Sequence, residues 1–179
     1  GKVFLSGEYM ALEGGRALIL STPQEAKVFI SNNSEKNNIF ISSMSQYEYP
    51  FVLDEELNFT WLKKDPKDFG KILRYAIKNL GKKFNGKTIH IVTDEFFYRD
   101  KKIGIGSSSA VSVSLTMALN KLFKLKLDTK KLIDYSKEIH DKSQNSTGSG
   151  FDIIAAYEKG AVSCRLLEGG DYAYDRIML

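Results

Sequence analysis

The sequence predicts an α+β layered domain, and three observations carry that reading. About the first 60 residues run as short stretches of alternating apolar and polar positions, broken by turn residues. At "PKDFGKILRYAIKNLGKK" the period switches to that of a helix. After residue 107 helical patterns dominate. The order is strands, a helix, a strand, two helices, a short helix and a strand. Such segregation favours α+β layers over a βαβ parallel fold.

Each element has its own signal. "KVFLSGEYMAL" and "EGGRALIL" read as β-structure, with Gly14-Gly15 marking the turn between them. "AKVFIS" and "NIFISS" flank the polar run "NNSEKNN", which predicts a hairpin with a longer loop. "EYPFVLDEELNFTWL" holds a short strand or a pair of them. In the first helix Phe69, Ile72, Leu73, Ala76, Ile77 and Leu80 share one face, with Pro66 at the start and Gly81 at the stop. "GKTIHIVTDEF" returns to alternation, with Ile89 and Ile91 on one face and His90 and Val92 on the other. His90 is therefore read as a strand residue rather than a catalytic one. A helix is expected from about Ser108 to Phe123. Another is expected from Thr129 to about Ser143, with Asp128 or Thr129 as its N-cap. "FDIIAAYEKG" reads as a short helix, and "AVSCRLL" and "YAYDRIML" read as strands. There is no internal repeat and no obvious linker, so residues 1–179 are expected to form one domain. Both ends are apolar and strand-like and no initiator methionine opens the chain, so a fragment of a longer protein is expected.

Composition narrows the function. With 42% hydrophobic, 12% aromatic and 27% charged residues, the chain is globular in character rather than disordered. No apolar run reaches the roughly 20 residues of a bilayer span, and no secretory signal is visible. A single cysteine, Cys164, excludes an internal disulfide and fits a reducing, cytoplasmic setting. Two histidines and one cysteine leave no zinc constellation. A net charge of +4 suits phosphorylated small molecules and nucleic acid alike, but the lysines are spread rather than clustered, which argues against nucleic acid.

Two loops carry the chemistry. In "KIGIGSSSAVSVSLTMALNKLF" the glycines Gly104 and Gly106 permit φ > 0 and remove side chains from a ligand's path. The helix behind them offers unpaired N–H groups and the positive end of its dipole, and the serines add hydroxyls, which together suit a phosphate. The alternative is a helix simply capped by serine. Neither Gly-Lys-Ser/Thr nor Gly-x-Gly-x-x-Gly is present, so the common nucleoside-triphosphatase and dinucleotide motifs are excluded. A second loop, "NSTGSGFDIIAAYEKG", places Asp152 just inside a helix start, where the dipole favours a carboxylate. With Lys2 in the first strand, these parts could form a phosphoryl-transfer site.

"GKVFLSGEYMALEGGRALIL", "GIGSSSAVSVSLTMAL" and "HDKSQNSTGSGFDIIAAYEKGA" resemble, in this order, three signature segments of the N-terminal domain of the GHMP kinases. The likeness covers nearly the whole chain. His140, Gln144 and the run Gly148-Ser149-Gly150-Phe151-Asp152 look most like the phosphomevalonate kinase branch, as does "GKVFLSGEY", where Tyr9 stands in place of the histidine usual in mevalonate kinases. Asp100 stands where the family often has proline, and Ile105 replaces the usual leucine.

The resemblance implies a two-layer domain with a ribosomal-protein-like fold. It also implies a C-terminal ferredoxin-like domain, with its own glycine-rich loop, that this chain does not include. It implies an enzyme using ATP and Mg²⁺ to phosphorylate phosphomevalonate to diphosphomevalonate in isoprenoid precursor synthesis. A mevalonate or sugar kinase is the alternative within the family, and a non-catalytic nucleotide- or RNA-binding domain is the alternative outside it. By the same resemblance Gly104, Gly106, Ser107, Ser108, Ser109 and Ala110 cradle the ATP phosphates, and Ser108 contacts the magnesium. Asp152 is the catalytic carboxylate and Lys2 the cation facing it. Glu8, Tyr9, Gln144, Ser149 and Gly150 are expected around the acceptor. Its phosphate needs cations, for which Arg99, Lys101, Lys102 and Lys142 are open candidates, with Gln144, Ser146 and Ser149 as neutral donors.

Overall fold

Alternation sorts all but two of the strands into two sheets, and helices pack on each. The computed structural model describes residues 1–145 and 147–178. In chain order the elements are β1 (Lys2–Ser6), β2 (Arg16–Ser21), β3 (Lys27–Asn32), β4 (Asn38–Ser42), β5 (Glu48–Leu53), β6 (Phe59–Trp61), α1 (Asp68–Leu80), β7 (Lys87–Val92), β8 (Phe97–Tyr98), β9 (Lys101–Lys102), α2 (Ser107–Phe123), α3 (Thr129–Gln144), α4 (Phe151–Glu158), β10 (Ala161–Leu166) and β11 (Tyr172–Ile177). One sheet has the order β1-β2-β10-β11 and is antiparallel. The other has the order β3-β7-β4-β5-β6 and is antiparallel except between β4 and β7. That parallel pair is joined through β5, β6 and α1, so the α+β class holds.

The hairpin expected across "NNSEKNN" does not form. Strand β7 inserts between β3 and β4, pairing Lys27 with Val92 on one side and Ile39 with Thr88 on the other. Side-chain amides account for this. Buried Asn38 donates to Phe84 O at 2.9 Å and accepts the Lys87 N–H at 3.2 Å. Asn33 donates to Asn37 O and to Thr88 Oγ1. The polar run therefore reaches over the start of β7 instead of turning between neighbours. Sequence reading also passes over the β8–β9 ribbon, whose two-residue turn Arg99-Asp100 has positive φ at both positions, as a type I′ hairpin requires.

The first helix behaves as its pattern predicts. Leu73, Ala76 and Ile77 are fully buried, and Gly81 ends the helix in the left-handed region with its N–H on Ile77 O. The Phe69 side chain and Ser146 lie outside the described residues. Helix α2 is buried on nearly all sides, with small hydroxyl residues such as Ser109, Ser112 and Thr116 buried beside its apolar ones. Its Val111, Leu115 and Leu119 join a cluster with Phe40, Phe51, Leu73, Ile77 and Ile89, while Val113 joins a second with Ile19, Phe151, Ile154 and Val162. Helix α3 opens on Asp128, whose carboxylate accepts the Lys131 N–H at 2.8 Å, and it sends Ile139 to the first cluster and Ile133 to the second. These two helices form the shared wall on which the site is built.

Candidate active site

The starts of β1, α2 and α4 meet at one end of the domain. The Lys2 N–H donates to Ile105 O at 2.8 Å, which ties the first strand to the glycine loop. Gly106 is the N-cap of α2, and among the described residues no side chain caps it. Instead the Ser109 hydroxyl donates to Gly106 O at 2.8 Å, and the Ala110 N–H reaches the same carbonyl at 3.2 Å. The N–H groups of Ser107, Ser108 and Ser109 are thus left without intrahelical acceptors, at the positive end of a 17-residue helix. Plain serine capping does not describe this turn, since among the described residues no serine side chain accepts these N–H groups and they stand open.

Helix α4 also starts behind a left-handed glycine, but its first turn is partly closed by side chains. Its N-cap Gly150 is left-handed at φ 76°, and Asp152 stands in its first turn. One Asp152 oxygen accepts the Ile153 N–H at 3.0 Å, and the other faces His140 Nε2 at 3.8 Å. The far end of α4 is anchored by buried Glu158, which accepts from Tyr174 Oη at 2.6 Å and from Arg176. Burial, then the Glu158 carboxylate, push the Tyr174 hydroxyl up to about 12.

Between these parts lies a cleft of about 500 Å³, lined by Lys2, Lys102, Gly104, Gly106, Ser108, His140, Gln144 and Asp152. A second cavity of about 460 Å³ adjoins it, sharing Lys102, Ser108 and Gln144, with Ser107 also in its lining and apolar walls that include Phe40, Ile72, Ile91, Phe97 and Val111. A polar, cationic cleft thus opens beside an apolar slot.

Of the residues singled out from sequence, Lys2, Asp152, Gly104, Gly106, Ser108 and Gln144 come together here. Ser109 and Ala110 turn inward and close the first helical turn. Lys2 and Asp152 line one cleft without forming an ion pair; the Lys2 ammonium lies 4.4 Å from the Phe4 ring centre. Glu8 and Tyr9 stand away from the cleft, Tyr9 being 86% exposed. Ser149 and Gly150 shape the entry to α4, the Ser149 hydroxyl accepting the Phe151 N–H at 3.4 Å, and do not line the cleft. Among the four basic candidates Lys102 reaches the cleft. Arg99 lies over Tyr98, Lys101 is exposed on the ribbon, and Lys142 pairs with Glu138.

Sequence reasoning missed two things. The apolar slot is built from residues that read as ordinary strand and helix interior, with no signal of their own. The bridging position of His140 had one: it lies on α3 twelve residues before Asp152, close enough for a helix end and a loop to bring them together.

A family model described as the GHMP kinases N terminal domain matches residues 71–160, half of the chain. The chain belongs to the GHMP kinases. Among relatives of this GHMP domain, the phosphomevalonate kinase of Saccharolobus solfataricus is 27% identical over 183 residues, covering 100% of this chain and 52% of that protein. The chain thus spans about half the length of the relative it matches. The structure of Streptococcus pneumoniae phosphomevalonate kinase in complex with phosphomevalonate and AMPPNP is similar at a TM-score of 0.71 and 24% identity, covering 92% of this chain and 47% of that one. Methanococcus jannaschii mevalonate kinase is similar at a TM-score of 0.73 and 20% identity, covering 99% of this chain and 53% of that one. At these identities the solved structures speak for the fold alone. They agree with a GHMP N-terminal domain of α+β architecture. Among the described residues no helix is long and apolar enough to cross a membrane.

Proposed function

We propose that this GHMP chain is the N-terminal, ATP-binding part (residues 1–179) of a two-domain cytoplasmic kinase that transfers the γ-phosphoryl group of ATP to phosphomevalonate, giving diphosphomevalonate for isoprenoid precursor synthesis. The observation that carries this is the cleft in which Lys2, Lys102, Ser108 and Asp152 meet, with the open start of α2 on one side and the first turn of α4 on the other. The 27% identity to a phosphomevalonate kinase supports the choice of acceptor over mevalonate or a sugar.

The geometry supports a role for each part. The open N–H groups of Ser107 to Ser109 and the two glycines receive the nucleotide phosphates. The apolar slot takes the nucleoside, since its walls suit a planar ring and its polar rim is shared with the phosphate cleft. Lys102, at the junction, and Lys2, across from it, supply positive charge where phosphoryl oxygens gather. The donor set suits magnesium. Ser108 Oγ and an Asp152 oxygen are hard oxygen ligands, and a magnesium ion held with nucleotide phosphates needs only one or two from the protein. Such an ion neutralises charge on the phosphates when bound. Asp152 has little proton to remove, because a phosphomonoester acceptor with a second pKa of about 6 is already mostly dianionic at neutral pH. Its work is to orient the acceptor and the charges around it.

A coupled ADP-release assay on the full-length protein tests the reading, with phosphomevalonate, mevalonate and several sugars as acceptors. Turnover with phosphomevalonate far above the rest is expected. Preference for mevalonate or a sugar would reassign the acceptor, and ATP binding without turnover on any of them would leave a nucleotide-binding domain.

A further inference from the structure

The three loop serines do different work. Ser109 is wholly buried and spends its hydroxyl on Gly106 O. Ser107 faces the apolar slot. Ser108 faces the cleft, and its Oγ lies 3.2 Å from His140 Nε2, on a different helix. His140 is the one side chain within hydrogen-bond reach of that hydroxyl among the described residues. The same nitrogen faces Asp152 Oδ2 at 3.8 Å, while Nδ1 faces Asp141 Oδ1 at 4.0 Å. Both carboxylates stand beyond hydrogen-bond distance and nearly equally far, so neither fixes the ring's tautomer, and a hydroxyl can pair with either ring form.

The Ser108 hydroxyl can serve a cation only if its proton points away from the cleft and its lone pairs point in. Nε2 is the acceptor placed to take that proton. Asp152 Oδ1 already holds the Ile153 N–H, and Asp141 holds Lys137 through Oδ2 and the Gly148 N–H through Oδ1. We infer that His140 is a positioning residue, in the tautomer with Nδ1–H, whose Nε2 accepts the Ser108 proton and so turns the serine oxygen toward a divalent cation brought by the nucleotide. His140 also sets the spacing between the phosphate loop of α2 and the acid of α4, since its one nitrogen lies near both. The cation part of this inference rests on the proposed ATP-dependent function.

Two experiments on the full-length protein test it. The first is the ¹⁵N spectrum of labelled histidine, with His140→Gln used to assign the His140 signals. An acceptor-type Nε2 on His140 that changes in Ser108→Ala is expected. A protonated Nε2 in the wild type overturns the assignment. The second measures nucleotide affinity against Mn²⁺ concentration in wild type, His140→Leu, His140→Gln, Ser108→Ala and the double variant. Loss of one hydrogen bond of this kind should raise the Mn²⁺ needed by about tenfold in His140→Leu, a larger change than any in metal-free ATP affinity, and add nothing further in the double variant. Gln, which can present an oxygen near Nε2, should restore much of the effect, and thermal unfolding will show whether each variant is folded. An unchanged Mn²⁺ requirement in folded His140→Leu overturns the inference and leaves the kinase reading standing. Absence of any ATP binding by the wild type overturns both.

Discussion

The Lys2 side chain lies across Gly106 so closely that a Cβ built there would sit 3.0 Å from Lys2 Cγ and 3.1 Å from Lys2 Cε. The glycine is needed for two reasons, a φ of 78° and the lysine stem against it. At Gly104, φ is 82° but a Cβ would meet nothing within 4 Å. The two glycines should therefore respond differently. Gly106→Ala should cost about 1–2 kcal/mol in backbone strain and also displace Lys2, lowering turnover as well as ATP affinity. Gly104→Ala should cost the strain alone and spare the placement of Lys2. Denaturant melts with steady-state kinetics check this; equal kinetic damage from both would contradict it.

For Asp152 the prediction concerns the acceptor. If the acceptor arrives as a dianion, Asp152→Asn should retain measurable turnover, falling by about 10²-fold or less, the low end of what general-base removal costs. A loss of many thousandfold, with the rate tracking one basic group, would assign Asp152 as a proton acceptor and favour an alcohol substrate.

Asn38 links the fold to the site, because it fixes β7 beside β4 and both strands help wall the apolar slot. Asn38→Ala would leave Phe84 O and the Lys87 N–H without their partner. At about 1–3 kcal/mol for each of these two unsatisfied groups, a destabilisation of about 2–6 kcal/mol is expected in urea unfolding. Asn38→Asp should restore only the acceptor half.

Cys164 is fully buried, and that burial, with Asp175 nearby, pushes its thiol up to about 12 from 9.0. The folded state therefore holds its proton more tightly than the unfolded chain. Its contribution is complete below about pH 9 and is lost as pH rises from there toward 12. Between pH 8 and pH 10 wild type should lose on the order of 1 kcal/mol more than Cys164→Ala. Alkylation of the thiol should require unfolding; rapid labelling of the native protein would contradict the burial.

Helix α1 and the two Gly-Ser loops were legible in the sequence because their signals are local: a 3.6 period, a terminal glycine, a missing Gly-Lys-Ser. The partner of each strand was not. "AKVFIS" and "NIFISS" carry the same alternation whether they pair with each other or with β7, and the deciding contacts belong to Asn33 and Asn38, which read as loop polarity. In the cleft, Lys2 and Asp152 were found from type and position. Lys102 could not be told from Arg99, Lys101 and Lys142 until the ribbon turn and the Glu138 pair were known. Glu8 and Tyr9 followed the motif by sequence and left the cleft by geometry.

Helix α2 belongs to both apolar clusters. Neither sheet can therefore open far without loosening the helix that follows the Gly104–Gly106 loop. Protection against hydrogen exchange in the two sheets should be lost together rather than in turn, and an anion held at residues 107–109 would steady strands at both ends of the domain. On the proposed function, nucleotide occupancy would set the lifetime of the whole fold, not only of the loop that touches it.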